Sequence, residues 1–213
     1  MKYKAYVFDM DGTILNTIDD LLDTTNYAME RMGYPLHTLE EVKWFVGNGI
    51  NKLIERAVPE GTSEEDIAKT FEHFMKYYNI HCKDKTGPYE GISELLKRLK
   101  EAGKKLAVVS NKADGPVKVL ADEVFPGLFD IAIGEKSGVN KKPARDMVDI
   151  AIETLGCKRE EAVYIGDTDV DFNTAKNSDL DCILCSWGFR GREFIEQYPA
   201  EYYVDNPLEI LDI

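Results

Sequence analysis

The pattern of apolar and polar positions changes twice along the chain, and these changes predict its architecture. Residues 6–8 form a short apolar run typical of a buried strand, and it ends in two carboxylates. From about residue 17 to residue 84, apolar residues recur at helical spacing and no strand pattern appears. From residue 87 onward, helical and strand patterns alternate, which indicates a parallel sheet with helices on both faces.

We therefore predict an α/β fold: a Rossmann-like parallel-sheet core carrying an inserted helical bundle. The predicted core comprises residues 1–15 and 85–213, and the predicted insert comprises residues 16–84. Within the insert, Thr17 and Ser63 are expected to cap helices, and Thr38 with Glu41 has the pattern of a capping box. The glycines of 47–49 are expected to separate two helices of the insert.

Two carboxylates follow the first predicted strand. Asp9 and Asp11 are separated by one residue, so they share a face of an extended chain, and Gly12 permits a tight turn directly after them. Carboxylates this close repel each other unless a cation or a shared proton neutralises them, and such oxygen ligands suit Mg²⁺. The alternative is a solvated turn without a ligand, which the same residue types also favour.

Further polar residues follow the later strands. These residues are Ser110 with Asn111, Lys142 just before a proline, and Asp167 with Asp171. Ligands of open parallel sheets bind outside the carboxyl ends of the strands, where all of these residues are expected. The spacing of Asp167 and Asp171 places both carboxylates on one side of a helix that starts there. A hydroxyl, a lysine and several acids at one edge suit phosphoryl transfer.

Net charge, the length of the apolar runs and the placement of the cysteines argue against several classes of function. The formal net charge of −13 argues against nucleic acid and anionic membranes as partners. No apolar run has the length of a membrane-spanning helix and the start lacks the pattern of a signal peptide, so we expect a cytoplasmic protein. Cys182 and Cys185 form a C-x-x-C within an apolar strand pattern, and we expect buried thiols without chemistry.

These motifs, in this order, resemble those of the haloacid dehalogenase superfamily, and specifically of its phosphatase branch. The resemblance covers essentially the whole chain. It implies that Asp9 is the nucleophile that becomes an aspartyl phosphate and that Asp11 is the general acid and base. It also implies a Mg²⁺ ion held by Asp9, by the backbone carbonyl of Asp11 and by Asp167.

The resemblance assigns the remaining residues supporting roles. Ser110, Asn111 and Lys142 are implied to bind the phosphoryl oxygens, while Thr13 and Asp171 are implied to support the metal site. One position departs from the family pattern, because Arg145 stands where a second proline often follows the lysine. The neighbouring Lys141 is therefore a fallback for Lys142.

The insert looks like the cap that selects the substrate in this branch. The segment from Phe45 to Ala57 is similar to the cap loop and helix of phosphoglycolate phosphatases, and 2-phosphoglycolate is the leading expected substrate. The residues that could recognise its carboxylate are Gly47, Asn48, Gly49 and Arg56. Alternatively, the glycines only break two helices and Arg56 pairs with Glu60 or with neighbours of Lys52 on its own helix.

Other functions share these motifs. An inorganic pyrophosphatase, a sugar-phosphate phosphatase and a β-phosphoglucomutase-like phosphotransferase are the enzymatic alternatives. A receiver-type domain phosphorylated on Asp is the non-enzymatic one. We expect a small phosphorylated metabolite as the partner and a monomer or homodimer. The segment Trp187–Gly191 is expected to be an exposed turn, with Arg190 reaching the substrate or cap as the alternative.

Overall fold

The computed structural model, which describes residues 1–213, contains a six-stranded parallel sheet. In chain order the strands are β1 (Ala5–Phe8), β2 (Leu15–Asn16), β3 (Gly87–Pro88), β4 (Lys105–Ala113), β5 (Ile131–Glu135), β6 (Ala162–Gly166), β7 (Asp181–Cys185) and β8 (Tyr202–Val204). The sheet order is β5-β4-β1-β6-β7-β8, every neighbouring pair is parallel, and β2 pairs with β3 separately. The predicted α/β fold class is confirmed.

Nine α-helices accompany the strands. They are α1 (Ile18–Met32), α2 (Leu39–Phe45), α3 (Ile50–Ala57), α4 (Glu64–His81), α5 (Ile92–Glu101), α6 (Asp114–Val124), α7 (Asp146–Leu155), α8 (Asp169–Asn177) and α9 (Arg192–Ile195). None of them is both long and apolar enough to span a membrane.

The chain divides into two compact units. The sheet unit comprises Met1–Leu15 and Pro88–Ile213, and the helical unit comprises Asn16–Gly87. The helical unit ends at Gly87, three residues beyond the predicted end of the insert at residue 84. Helices α1 to α4 all lie in this second unit.

Both faces of the sheet are covered by apolar side chains, as a parallel sheet requires. Along β1, Tyr6 and Phe8 belong to one hydrophobic layer while Ala5 and Val7 belong to the other. The same alternation separates the two cysteines of β7, because Cys182 lies in one layer and Cys185 in the opposite one. The C-x-x-C therefore forms neither a disulfide nor a metal site, and the expectation of buried thiols is confirmed.

Caps set the helix boundaries of the helical unit. The capping box of Thr38 and Glu41 is present, and the Ser63 side chain accepts the Asp66 amide, so both predictions are confirmed. The predicted Thr17 cap is wrong in its chemistry. Thr17 precedes α1, but its buried hydroxyl makes no hydrogen bond because the local backbone is not in the extended conformation usual for a capping residue.

The register of the central strands explains why distant residues meet. Phe8 of β1 lies opposite Val108 of β4 on one side and Ile165 of β6 on the other. The residues that follow these three positions therefore emerge at one edge of the sheet. Strands β4 and β5 lie on one side of β1 and strands β6 to β8 on the other, so this edge is a topological switch point.

Candidate active site

Asp9 leaves β1 at the centre of this edge. Its amide donates to the Ile165 carbonyl oxygen at 2.9 Å, which continues the ladder between β1 and β6 for one more residue. Its Oδ1 accepts from the Met10 amide at 2.7 Å and lies 2.8 Å from Lys142 Nζ. Both donors bind Oδ1, so Oδ2 of this buried carboxylate is left without a hydrogen bond.

Three buried carboxylates form a cluster around this position. One ligand oxygen from each of Asp9, Asp167 and Asp171 lies within 4.8 Å of the other two. Burial raises the pKa of Asp9 well above its usual range; the charges of Asp171 and Asp167 add to this effect, while Lys142 opposes it. Burial and the neighbouring Asp171 raise the pKa of Asp167 to about 7. A divalent cation would remove this repulsion, and an all-oxygen donor set fits a hard ion such as Mg²⁺.

Lys142 is the buried cation of the cluster. Its side chain is 2% exposed, and its ammonium lies 2.8 Å from both Asp9 Oδ1 and Asp171 Oδ1. Burial alone would lower the pKa of Lys142, but the carboxylates of Asp171 and Asp9 hold it well above its usual value. The neighbouring Lys141 is more exposed and lies 3.7 Å from a Glu135 carboxylate oxygen, so of the two lysines it is Lys142 that the fold brings to the cluster.

Tyr164 also contacts this lysine, although the sequence did not predict it as a site residue. Lys142 Nζ donates to the Tyr164 hydroxyl at 3.0 Å, and that hydroxyl lies 3.3 Å from Asp171 Oδ1. Tyr164 is buried in β6 between apolar neighbours, so its pattern indicated only a core residue. Its position two residues before Gly166, near the carboxyl end of the strand, is the one sequence feature that could have indicated a place at the site.

Asp171 reaches the cluster by a different route from the one predicted. Helix α8 begins at Asp169, so Asp167 precedes the helix and does not share a helical face with Asp171. Instead, Asp171 Oδ2 accepts the amides of Asp167 and Thr168 at 3.2 and 3.1 Å and the Thr168 hydroxyl at 2.7 Å. The backbone amides just before α8 have no partner within the helix, so they donate to the Asp171 carboxylate and hold it at the sheet edge.

A close-fitting cradle holds Asp167. Its Oδ1 accepts the Thr13 hydroxyl at 3.0 Å and its Oδ2 accepts the Phe189 amide at 2.8 Å. A Cβ atom at Gly12 would lie 2.5 Å from Asp167 Oδ2, and one at Gly188 would lie 2.3 Å from Asp167 Cβ. Glycine is therefore required on both sides of this carboxylate by contact distance.

The segment after β7 supplies half of that cradle. The Trp187 indole N–H donates to the Thr13 carbonyl oxygen at 2.9 Å, which ties this segment to the loop after β1. Phe189 is buried and its amide binds Asp167. The expectation of a merely exposed turn at Trp187–Gly191 is therefore wrong. The turn lies at the carboxyl end of a sheet strand, which is the signal that could have identified it.

The residues after the apolar part of β4 bring three buried polar side chains to the same edge: Ser110, Asn111 and Lys112. The Asn111 side-chain amide donates to the Lys142 carbonyl oxygen at 3.1 Å. The Lys112 ammonium donates to both carboxylate oxygens of Asp11, at 3.0 and 3.2 Å. Lys112 is not among the site residues predicted from the sequence.

The candidate cap residues lie in the helical unit: Gly47, Asn48 and Gly49 form the turn between α2 and α3, and Arg56 lies in α3. Gly47 and Gly49 have φ angles of 116° and 85°, which favour glycine. The Arg56 guanidinium donates to the Phe45 carbonyl oxygen at 2.8 Å and to Asn48 Oδ1 at 2.7 Å. Arg56 thus holds this turn, and the alternative pairing with Glu60 or with neighbours on its own helix is not what the structure shows.

Comparison with known proteins assigns the family. Residues 6–185 match the model of the haloacid dehalogenase-like hydrolases. The chain is 31% identical over 204 residues to the phosphoglycolate phosphatase of Pseudomonas savastanoi pv. phaseolicola, covering 92% of this chain and 75% of that protein. It is also 31% identical over 187 residues to the phosphoglycolate phosphatase of Aquifex aeolicus, covering 87% and 86%.

A relative that is named for a different activity also matches the whole chain. The pyrophosphatase PpaX of Halalkalibacterium halodurans is 27% identical and covers 100% of this chain and 97% of that protein. Among solved structures, a protein of Lactobacillus delbrueckii subsp. bulgaricus proposed to be a phosphoglycolate phosphatase is 42% identical, with a TM-score of 0.94 and coverage of 99% and 97%. The strand-end carboxylates, the buried lysine and these likenesses agree, and the chain belongs to the haloacid dehalogenase-like hydrolase family.

Proposed function

We propose that this protein is a Mg²⁺-dependent phosphatase that hydrolyses a small phosphomonoester, with 2-phosphoglycolate as the leading substrate. The observation that carries the proposal is the position of Asp9, which contacts buried Lys142 and shares a carboxylate cluster with Asp167 and Asp171. Relatives named phosphoglycolate phosphatase support the choice of substrate.

Asp9 is the proposed nucleophile. Its Oδ2 makes no hydrogen bond and is available to form a bond to phosphorus as the ester P–O bond breaks. This gives an aspartyl phosphate, which water then attacks at phosphorus to release phosphate and restore Asp9. Covalent catalysis of this kind divides one difficult displacement into two easier ones.

Asp11 is the proposed general acid and base. In the first step its carboxyl group gives a proton to the leaving alkoxide, and in the second it takes a proton from the attacking water. Asp9, the Asp11 backbone carbonyl and Asp167 are the proposed ligands of Mg²⁺, which when bound would neutralise charge on the phosphoryl oxygens. Asp171 supports this set because it fixes Lys142 and the backbone at Asp167.

Ser110, Asn111 and Lys142 are the proposed phosphoryl-binding residues. All three are buried at the sheet edge, and the Asn111 side chain holds the backbone of Lys142. The Lys142 ammonium would also offset negative charge on Asp9 while the phosphoryl group approaches. Thr13 supports the site through its hydrogen bond to Asp167.

The helical unit is the proposed cap, and it selects the substrate. The backbone N–H groups of its turn at Gly47, Asn48 and Gly49 are the proposed binding groups for a substrate carboxylate. Arg56 shapes this turn through its two hydrogen bonds. Sequence and structure therefore support a specificity turn whose geometry depends on one arginine.

The first experiment measures phosphate release from p-nitrophenyl phosphate and from 2-phosphoglycolate, with Mg²⁺ and with excess chelator. We expect multiple turnovers that require Mg²⁺ and that Asp9→Asn reduces by at least about a thousandfold, because the nucleophile is lost. Asp169→Asn, which changes a nearby acid outside the cluster, is the matched control and should retain activity. Full activity in Asp9→Asn or in chelator would refute the mechanism.

A panel of phosphate esters at matched concentration tests the substrate. It contains 2-phosphoglycolate, several sugar phosphates and pyrophosphate. Pyrophosphate is the second candidate because a relative named pyrophosphatase matches the whole chain. Higher kcat/KM for a sugar phosphate or for pyrophosphate than for 2-phosphoglycolate would reject 2-phosphoglycolate as the leading substrate. The proposal of a metal-dependent phosphatase would stand.

A further inference from the structure

Lys112 is a buried cation that contacts the Asp11 carboxylate. Its side chain is 5% exposed, and its ammonium lies 3.0 Å from Oδ1 and 3.2 Å from Oδ2 of Asp11, whose side chain is 15% exposed. Contact with both oxygens restrains the rotation of the carboxylate as well as its position. An exposed ion pair contributes little, but a pair this buried leaves an uncompensated charge when either partner is removed.

The backbone that carries Lys112 is itself fixed. Val109 of β4 pairs with Ile133 and Ala113 pairs with Glu135, so β4 uses four residues where β5 uses two. This irregularity redirects the side chains between those positions. The Lys112 amide donates to Ser110 Oγ at 3.2 Å, and a Cβ atom at Gly134 would lie 2.5 Å from the Lys112 carbonyl oxygen. The backbone of Lys112 therefore lies in a closely packed segment, which restricts where its side chain can reach.

The two buried lysines of the sheet edge serve different acids. Lys142 lies between Asp9 and Asp171, whereas Lys112 contacts Asp11. The separation matches the two proposed chemical roles, since one lysine serves the nucleophile and the other serves the proton donor. Small displacements of a proton donor lower the rate strongly, so a group that fixes its position affects catalysis without touching the substrate.

We propose that Lys112 is a positioning residue that holds the Asp11 carboxyl group for proton transfer. This inference rests on the proposed function. One oxygen of Asp11 keeps the Lys112 hydrogen bond. The other gives its proton to the leaving oxygen as the P–O bond breaks, and it takes a proton back from the attacking water. Lys112 itself neither gains nor loses a proton.

The test compares two leaving groups in Lys112→Met. The alkoxide of 2-phosphoglycolate needs a proton as it leaves, whereas the phenolate of p-nitrophenyl phosphate needs one much less. If Lys112 acts through Asp11, kcat/KM for 2-phosphoglycolate, which reports the formation of the aspartyl phosphate, should fall by roughly 10- to 100-fold, within the range of general acid catalysis. The kcat/KM for p-nitrophenyl phosphate should fall by less than about fivefold, because its phenolate leaves with little help from a proton donor.

Three further variants separate positioning from a structural role. Lys112→Arg, which keeps a cation, should recover part of the lost kcat/KM for 2-phosphoglycolate. Lys112→Met combined with Asp11→Asn should be no slower than Asp11→Asn alone, since residues that act as a unit are not additive. Lys118→Met removes an exposed lysine paired with Asp114 on α6 and should behave like the unchanged protein. Thermal unfolding checks folding, and Lys112→Gln takes the place of Lys112→Met if that variant does not fold.

Three results would overturn the proposal. They are equal losses of kcat/KM on both esters, an unchanged kcat/KM for 2-phosphoglycolate, and additive effects in the double variant. The proposed function fails separately, if the unchanged protein releases no phosphate from either ester or if Asp9→Asn remains active. An active enzyme that loses activity in Asp9→Asn but not in Lys112→Met would refute only the role of Lys112.

Discussion

Asp167 shows how one buried side chain connects folding to metal binding. Its carboxylate accepts hydrogen bonds from Thr13 and Phe189, yet burial and the adjacent Asp171 still raise its pKa to about 7. Without a cation the folded protein therefore keeps a proton on this group in mildly acidic solution, whereas the unfolded chain does not. Any ligand cation must displace that proton.

We predict that divalent metal binds more weakly below pH 7. Because the folded-state pKa of Asp167 is raised, its favourable contribution to folding is present in acid and is lost as the pH rises through about 7. Metal binding then compensates for the loss. The apparent affinity should fall by up to about tenfold per pH unit below pH 7, and the rise in Tm on adding Mg²⁺ should be larger at pH 8 than at pH 6.

Isothermal titration calorimetry with Mg²⁺ or Mn²⁺ between pH 5.5 and pH 8 measures this dependence, and the proton release is read from buffers of different ionisation enthalpy. Asp169→Asn is the control, because it removes a nearby acid that is not in the carboxylate cluster. An affinity that does not change across this pH range would contradict the prediction.

At the scale of elements, the position of the segment after β7 depends on the close contact between Gly188 and the Asp167 side chain. Gly188 lies directly against Asp167, so a methyl group there would lie within 2.3–2.5 Å of three side-chain atoms of that residue. Either the carboxylate or the segment must move, and the Phe189 hydrogen bond moves with it. Overpacking of this kind typically costs about 1–3 kcal/mol.

We therefore predict that Gly188→Ala weakens metal binding at least about tenfold and lowers the free energy of unfolding by about 1–3 kcal/mol. Gly115→Ala is the matched control, since a Cβ atom there meets nothing within 4 Å and the residue lies in α6. That control should change stability by less than about 1 kcal/mol and leave metal affinity unchanged. Metal titration followed by thermal unfolding of both variants makes the comparison, and unchanged metal affinity in Gly188→Ala would be evidence against the cradle.

At the scale of the whole molecule, the carboxylate cluster belongs to one unit. Asp9, Asp167 and Asp171 all lie in the sheet unit, as do Ser110 and Lys142. A ligand stabilises the part of the protein whose folded form it binds. Metal without substrate should therefore stabilise the sheet unit against local unfolding and leave the stability of the helical unit unchanged.

Hydrogen exchange in the presence and absence of Mg²⁺ tests this prediction. We expect slower exchange at the amides of Asp167, Thr168 and Phe189, which donate to the clustered carboxylates. The capping amides of Glu41 and Asp66 in the helical unit are internal controls and should not change. Asp167→Asn should abolish the effect. Equal slowing in both units would contradict the prediction.

The sequence by itself determined the fold class and much of the site. Apolar runs and helical spacing follow from side-chain chemistry and local geometry, so they predicted the parallel sheet, the helical segment and the capping box at Thr38 without any tertiary information. The polar residues after strands were predicted to share an edge because parallel strands end at the same side of a sheet. The fold brings Asp9, Asp167 and Asp171 together there.

Only the tertiary structure decided which groups touch. Adjacent lysines have equal local patterns, and packing buries Lys142 while Lys141 remains more exposed. Likewise Tyr164 has the sequence pattern of a core residue, and nothing in the local sequence distinguishes Lys112 from a surface lysine. Their contacts with Lys142 and Asp11 join residues 22 and 101 positions apart. Such contacts depend on strand order and register, which local sequence does not specify.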